Sequence, residues 1–324
     1  MFAEVTLPAV VIDGLPPAAP RRLANRPAAR RVMTAVTPYL YVLPALASLG
    51  LWVYWPLIQT FRLSLVQWNL LPAAPQVGVG LANYREILHL PQLYQALGTT
   101  GWYMLGLLGF GVLLPLLIGV AAHGLPRRTQ SFYRSILFLP VLVSPIAAAV
   151  LWSFLMVPNG GAVNNLLGLA GVGPRNWLFD PSTAPGSLVA IAGWKILGAA
   201  VLIVMAGLAA IGPEYHEAAS LDGAGPVRRF TEITVPLLFP TLLFLFASAV
   251  LLAEGQIMFP VIDALTQGGP AGGTTDVYYL LYSFGFSSFD VGLASAAAVL
   301  FFLAFAIVTI PGLALLDRLS RYQG

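Results

Sequence analysis

Six stretches of predominantly apolar residues run along the chain: Tyr39 to Phe61, Trp102 to Ala122, Ile136 to Val157, Leu188 to Ile211, Leu237 to Val261 and Gly292 to Leu316. Each reaches the roughly 20 residues that carry a helix across a hydrocarbon core about 30 Å thick. The pattern predicts an all-α integral membrane protein with six transmembrane helices. Between the first two spans, Leu81, Tyr84, Ile87 and Leu88 form a helical stripe beside the polar Asn83, Arg85 and Glu86. This segment, residues 80 to 97, is expected to lie along the outer membrane surface.

Charge orients the spans. Twelve of the sixteen basic residues fall in residues 1 to 37, 123 to 135, 212 to 236 and the carboxy-terminal tail, all on one face if six spans alternate. Positive residues are retained on the cytoplasmic side, so both termini are expected in the cytoplasm. The arginines before the first span could suggest a signal peptide. That span is too long for a signal h-region and ends without a small-residue cleavage site, so it reads as an uncleaved anchor. Residues 1 to 37, rich in Arg, Pro and Ala, are expected to be a disordered cytoplasmic tail touching anionic lipid. Residues 38 to 317 form the six-span domain.

Composition narrows the chemistry. Hydrophobic side chains make up 58% of the 324 residues and charged ones 9%, far from a soluble domain. Mean hydropathy is +0.82. The absence of cysteine excludes disulfides and thiolate chemistry, and the three histidines, His89, His123 and His216, lack metal-ligand spacing. The net charge of +3 comes from arginines at span ends, a topology signal and not a nucleic-acid surface. With 26 prolines and 32 glycines, the helices are expected to be interrupted.

The connection from Gly212 to Pro236 carries the most local information. Pro213 suits a first helical position, and Glu214 and Glu217 complement the positive end of a short helix from Pro213 to Leu221. Asp222 and Gly223 favour a turn, and Gly225-Pro226 opens a second short helix ending before Pro236. Ala218 and Ala219 allow close approach of another backbone. Phe230 and Ile233 form an apolar pair for which a loop has no core, so a protein partner is expected. An interfacial amphipathic hairpin is the plainer alternative, but three glutamates and one aspartate suit it poorly.

Glu217-Ala218-Ala219, Asp222-Gly223-Ala224, Phe230, Ile233, Pro236 and Pro240 together resemble the EAA loop of permease subunits of bacterial ABC importers. The likeness extends to the carbohydrate branch, with its maltose-type and glycerol-phosphate-type permeases. It is carried by Gly80-Leu81-Ala82-Asn83-Tyr84, Gly193-Trp194 through Ala206-Gly207-Leu208, Leu265 through Pro270, and Gly292 through Ala296. The large outer insertion of one maltose subunit has no counterpart, so compact six-span members are the better comparison. The resemblance implies a coupling helix at Glu217, Ala218, Ala219, Asp222 and Gly223 that docks on a cytosolic ATPase, with Glu217 meeting a basic residue. It also implies a second homologous permease, two cytosolic ABC ATPase subunits and an extracytoplasmic solute-binding protein, in a bacterial inner membrane.

Lys195 is the sole lysine and sits inside a span, so no phosphate-binding loop of the G-x-x-x-x-G-K-[ST] type exists. No cofactor is expected on this chain, and ATP and magnesium would reside on the partner ATPases. Lys195 and Glu254 are ionisable groups within spans, expected at matching depth, and such groups mark functional sites by default. They could face a shared outer cavity, paired or as separate ligands, with Trp194 and Gln256 beside them. An aromatic face and an amide suit a sugar or polyol. Alternatively, Lys195 snorkels to the surface and Glu254 pairs structurally with the second permease. Tyr278, Tyr279 and Tyr282 suggest an aromatic belt, and the glycine-rich run from Gly268 to Gly273 a flexible or tightly turned outer loop. A self-contained secondary transporter or channel would share the composition but would need no docking elbow. No intramembrane enzyme motif is present.

Overall fold

The computed structural model describes residues 28–71 and 74–321, with side chains described for 39–71, 74–126, 128–250 and 255–307. The chain divides into two units, residues 1–57 and 58–324. In the first, α1 (Ala28–Leu49) runs into a widened π turn, Gly50–Tyr54. Helix therefore begins eleven residues before the expected Tyr39, and residues 28 to 37 are not the unstructured chain expected of the tail. The rest of that tail, residues 1 to 27, lies outside the described residues.

The second unit is helical apart from a short antiparallel pair, Val66–Gln67 with Val77–Gly78. Its helices are α2 (Trp55–Leu63, from Ile58 onward), α3 (Ala82–His89), α4 (Pro91–Leu108), α5 (Leu114–His123), α6 (Arg127–Leu142), α7 (Pro145–Leu155), α8 (Ala162–Gly168), α9 (Ala184–Ala210), α10 (Pro213–Leu221), α11 (Pro226–Arg229), α12 (Val235–Ser248), α13 (Phe259–Leu265), α14 (Val277–Tyr282) and α15 (Val291–Arg321). By length and composition, four helices among the described residues can cross a membrane, or five if the bent pair α6 and α7 counts as one.

Prolines interrupt these helices less than expected. The π turns Gly50–Tyr54, Gly109–Leu113, Phe230–Thr234 and Ala249–Met258 each end two residues before a proline: Pro56, Pro115, Pro236 and Pro260. A proline within a helix lacks an N–H and presses on the carbonyl four residues earlier. The wide turn relieves that clash, so the helix continues. The second span is therefore one helical stretch from Pro91 to His123, starting eleven residues before the expected Trp102.

The third span differs in the opposite sense. Hydropathy runs unbroken from Ile136 to Val157, yet the chain bends by 100° between α6 and α7. Pro145 is the cause. It forces Ser144 out of the helical region, to ψ 152°, and Val143 is extended as well. Ser144 then caps α7, its hydroxyl accepting from the Ala147 N–H at 3.2 Å.

Helix α9 is the hub. It is apolar all round, as a helix surrounded by others must be, and buries Leu188, Ile191, Val201, Val204, Met205 and Leu208. Lipid is as apolar as leucine, so close packing and not water exclusion holds such helices together. At Gly198 the approach is extreme: a methyl there would stand 1.6 Å from the Leu137 carbonyl oxygen on α6.

Asn83, expected on the polar side of a surface helix, is buried instead. Its amide donates to the Ser64 and Val66 carbonyls at 2.9 and 3.0 Å, and the Tyr84 hydroxyl meets that of Ser64 at 2.6 Å. Gly292 lies against the same place, where a side chain would collide with the Val66 carbonyl. Two sequence segments more than two hundred residues apart thus form one junction at the start of the last helix. The glycine-rich run after α13 is tightly turned. The Thr274 hydroxyl donates to the Gly269 carbonyl at 2.7 Å, and the Tyr103 hydroxyl donates to the Thr274 carbonyl at 3.1 Å.

Candidate functional site

The elbow between α9 and α12 is built by local rules. Gly212 precedes Pro213, which occupies the first helical position of α10, and Glu214 stands in the first turn. At the other end Gly223 takes φ +73°. Its N–H donates to the Ser220 carbonyl at 3.1 Å, and the Ala224 N–H donates to the Ala219 carbonyl at 2.9 Å. This pair of bonds is a Schellman closure, which satisfies carbonyls that the helix end leaves open. Gly225 and Pro226 then begin the second arm. This arm does not end before Pro236 as expected. The π turn at Phe230–Thr234, where the Val235 N–H reaches the Phe230 carbonyl, carries it through the proline into α12.

The elbow is thus a short helix held between two long ones. Glu217, Ala218, Asp222 and Gly223 are exposed, whereas Ala219 faces inward and is buried. Phe230 and Ile233, expected as the apolar docking pair, are half-buried within the chain's own fold. The apolar groups turned outward are ones that sequence reasoning missed: Leu221 is 90% and Val227 76% exposed, with Tyr215 also exposed. The signal was present, since Leu221 closes α10 and Val227 opens the next arm, where neither can reach back to a span. The Arg228 guanidinium donates to Glu232 at 2.8 Å, and that bond raises its already high pKa. Behind α10 a cavity of about 510 Å³ is lined by His123, Leu208, His216, Glu217, Arg229 and Thr234.

Within the spans, Lys195 is 5% exposed and does not snorkel to the surface. Its Nζ donates to the Pro140 carbonyl at 2.9 Å and to the Val143 carbonyl, the last acceptors of α6 at the bend. Trp194 stands edge-on to Trp152, with ring centres 5.7 Å apart. Gln256 is exposed and borders two cavities. One, of about 590 Å³, is lined by Val143, Lys195, Ile196, Ser248 and Ala249. The other, of about 660 Å³, is lined by Phe259, Tyr282, Phe286 and Ser295. Lys195 and Gln256 therefore share a cavity, Trp194 packs on Trp152 and is not among that cavity's lining residues, and the Glu254 side chain lies outside the described residues. Tyr279 and Tyr282 form an aromatic cluster with Phe259 and Phe286. No group of three metal-ligating side chains occurs among the described residues.

Apolar helices long enough to cross a membrane, two of them joined by an exposed elbow, define a multi-pass membrane protein. The chain belongs to the family of binding-protein-dependent transport system inner membrane components, whose pattern matches residues 111–323. It is 32% identical over 286 residues to the sn-glycerol-3-phosphate transport system permease protein UgpA of Pectobacterium atrosepticum, covering 88% of this chain and 96% of that one. It is 35% identical over 269 residues to the probable ABC transporter permease protein YurN of Bacillus subtilis, covering 81% and 90%. The fold matches that of a bacterial ABC transporter involved in the import of the acidic polysaccharide alginate, with a TM-score of 0.73 at 22% identity over 90% of this chain and 99% of that one.

Proposed function

We propose that this chain is a non-catalytic permease subunit of an ATP-driven, binding-protein-dependent importer. With a second homologous permease it forms the pathway for a sugar or a related polyol or glycerol-phosphate solute. Both termini and the elbow face the cytoplasm, and the chain crosses the membrane six times. Two cytosolic ATPases carry the ATP and magnesium and dock at Glu217, Ala218, Ala219, Asp222 and Gly223, with Phe230 and Ile233 supporting the elbow from within. A solute-binding protein delivers cargo from outside. A bacterial alginate ABC transporter of similar fold is known in complex with a periplasmic protein bound to an alginate pentasaccharide, which supports this last partner. Trp194, Lys195, Glu254 and Gln256 border the solute pathway.

The observation that carries the reading is the elbow: a Schellman-closed helix joined by short links to two spans, presenting Glu217, Leu221 and Val227 to solvent. Burial of such apolar groups against a partner is favourable by about 25 cal/mol per Å². The test is a mild-detergent pull-down of the tagged chain, wild type against Glu217→Ala and Gly223→Pro. Recovery of an ATPase and a second permease with wild type, weakened in both variants, is expected. A stable chain recovered alone and indifferent to both changes would overturn the reading in favour of a self-contained transporter or channel.

A further inference from the structure

The bend between α6 and α7 leaves carbonyls at the negative end of a helix facing the membrane interior, where unsatisfied backbone groups are costly. Lys195 answers this directly. Its ammonium spends two of its three N–H bonds on the Pro140 and Val143 carbonyls, where a cation also favours the helix dipole. The Ser144 hydroxyl, also at the bend, is occupied with the Ala147 N–H. Three residues further along α9, Gly198 seats the Leu137 carbonyl in direct backbone contact. The carboxy-terminal turns of α6 are therefore fixed to α9 by one steric and one electrostatic contact. Helix α9 continues unbroken to Ala210, and α10 begins at Pro213. From Lys195 to the end of α9 is about 22 Å at 1.5 Å per residue.

We infer that Lys195 is a positioning residue, which ties the α6–α7 bend to α9 and so makes the wall of the 590 Å³ cavity move with the elbow. Val143 and Lys195 both line that cavity, and the ammonium is bonded directly to the Val143 carbonyl. A turn of the elbow passed along α9 reaches the bend through this contact. Among the described residues the ammonium makes only these two bonds, so the tie is compatible with a solute ligand role but does not require one. The inference deepens the permease reading through its flux readout alone.

The chain has no cysteine, so Val143→Cys gives a single reporter at the bend. Labelling of this full-length variant in native membrane vesicles by a small water-soluble maleimide is compared with Lys195 intact, Lys195→Arg, Lys195→Gln and Lys195→Met. Methionine keeps the length and removes every donor, and loss of even one charge-assisted bond should speed labelling by roughly tenfold. Glutamine is expected between lysine and methionine, and arginine within about twofold of lysine, because its fork can serve both carbonyls. In vesicles with the partner subunits, Lys195→Met should also lower solute moved per ATP hydrolysed. Equal labelling across the series overturns the tie, whatever happens to transport. So does a methionine variant that changes only the solute concentration for half-maximal flux, the mark of a ligand. If the methionine variant does not accumulate, the glutamine and lysine rates decide alone.

Discussion

Replacing Gly198 by alanine adds one methyl group, and its consequence can be worked from the packing of α6 on α9. The methyl would stand 1.6 Å from the Leu137 carbonyl oxygen and 2.5 Å from its carbon, where ordinary contact begins at 3.4 Å. Those atoms are backbone, so no rotamer change relieves them and α6 must retreat by about 1.8 Å. Overpacking of this kind costs about 1–3 kcal/mol or more. Alanine in a helix interior is worth up to about 1 kcal/mol over glycine. Gly101, inside α4 with open space around it, isolates that second contribution. Gly101→Ala should be neutral or slightly stabilising, and Gly198→Ala should fall below it by the overpacking cost, about 1–3 kcal/mol or more. Reversible unfolding of the purified chain by titration of a denaturing detergent into mixed micelles measures both. If the two variants unfold together, α6 and α9 do not touch through backbone, and the placement of Lys195 at the bend falls with that contact.

Other outcomes follow from single residues. Asn164 is buried and makes five hydrogen bonds, to the Val157, Pro158 and Arg175 carbonyls, the Arg175 N–H and the Trp177 indole. Asn164→Ala should cost about 2–4 kcal/mol, against less than about 1 for the exposed neighbour Asn165→Ala, by the same unfolding assay. Asp180 accepts from the Ser182 hydroxyl and N–H, which hold its carboxyl below the usual range. The lowered value means that the turn is favoured above the ordinary carboxylate pKa of about 3.9 and loses that support as pH falls through the folded value. Titration of isotope-labelled aspartate by NMR should show Ser182→Ala moving the carboxyl upward, and an unchanged midpoint would refute the assignment. Glu232, paired with Arg228 on the elbow surface, should be replaceable by glutamine without loss of stability or of ATPase recovery, whereas Glu217→Gln should lose the ATPase in the pull-down.

Much of the elbow was legible because its rules are local. Pro213 starting α10, Glu214 in its first turn and Gly223 with positive φ can each be assigned from adjacent residues. The second arm was misjudged at Pro236, which the helix passes by widening at Phe230–Thr234. The outward apolar groups of the elbow were missed for another reason. Phe230 and Ile233 look unburied along the chain, but the fold half covers them and leaves Leu221 and Val227 outside.

The membrane class, the apolar stretches and the turn chemistry of the elbow were determined by the sequence itself, since hydropathy and backbone preference act over a few residues. Tertiary structure decided what Asn83 and Lys195 do. Asn83 is a polar residue on a surface helix until Ser64, Val66 and Gly292 close around it. Lys195 is a charge inside a span until a bend fifty residues away offers it two carbonyls. A buried polar group takes its meaning from partners that satisfy it, and those partners are brought together by the fold, not by neighbouring positions in the chain.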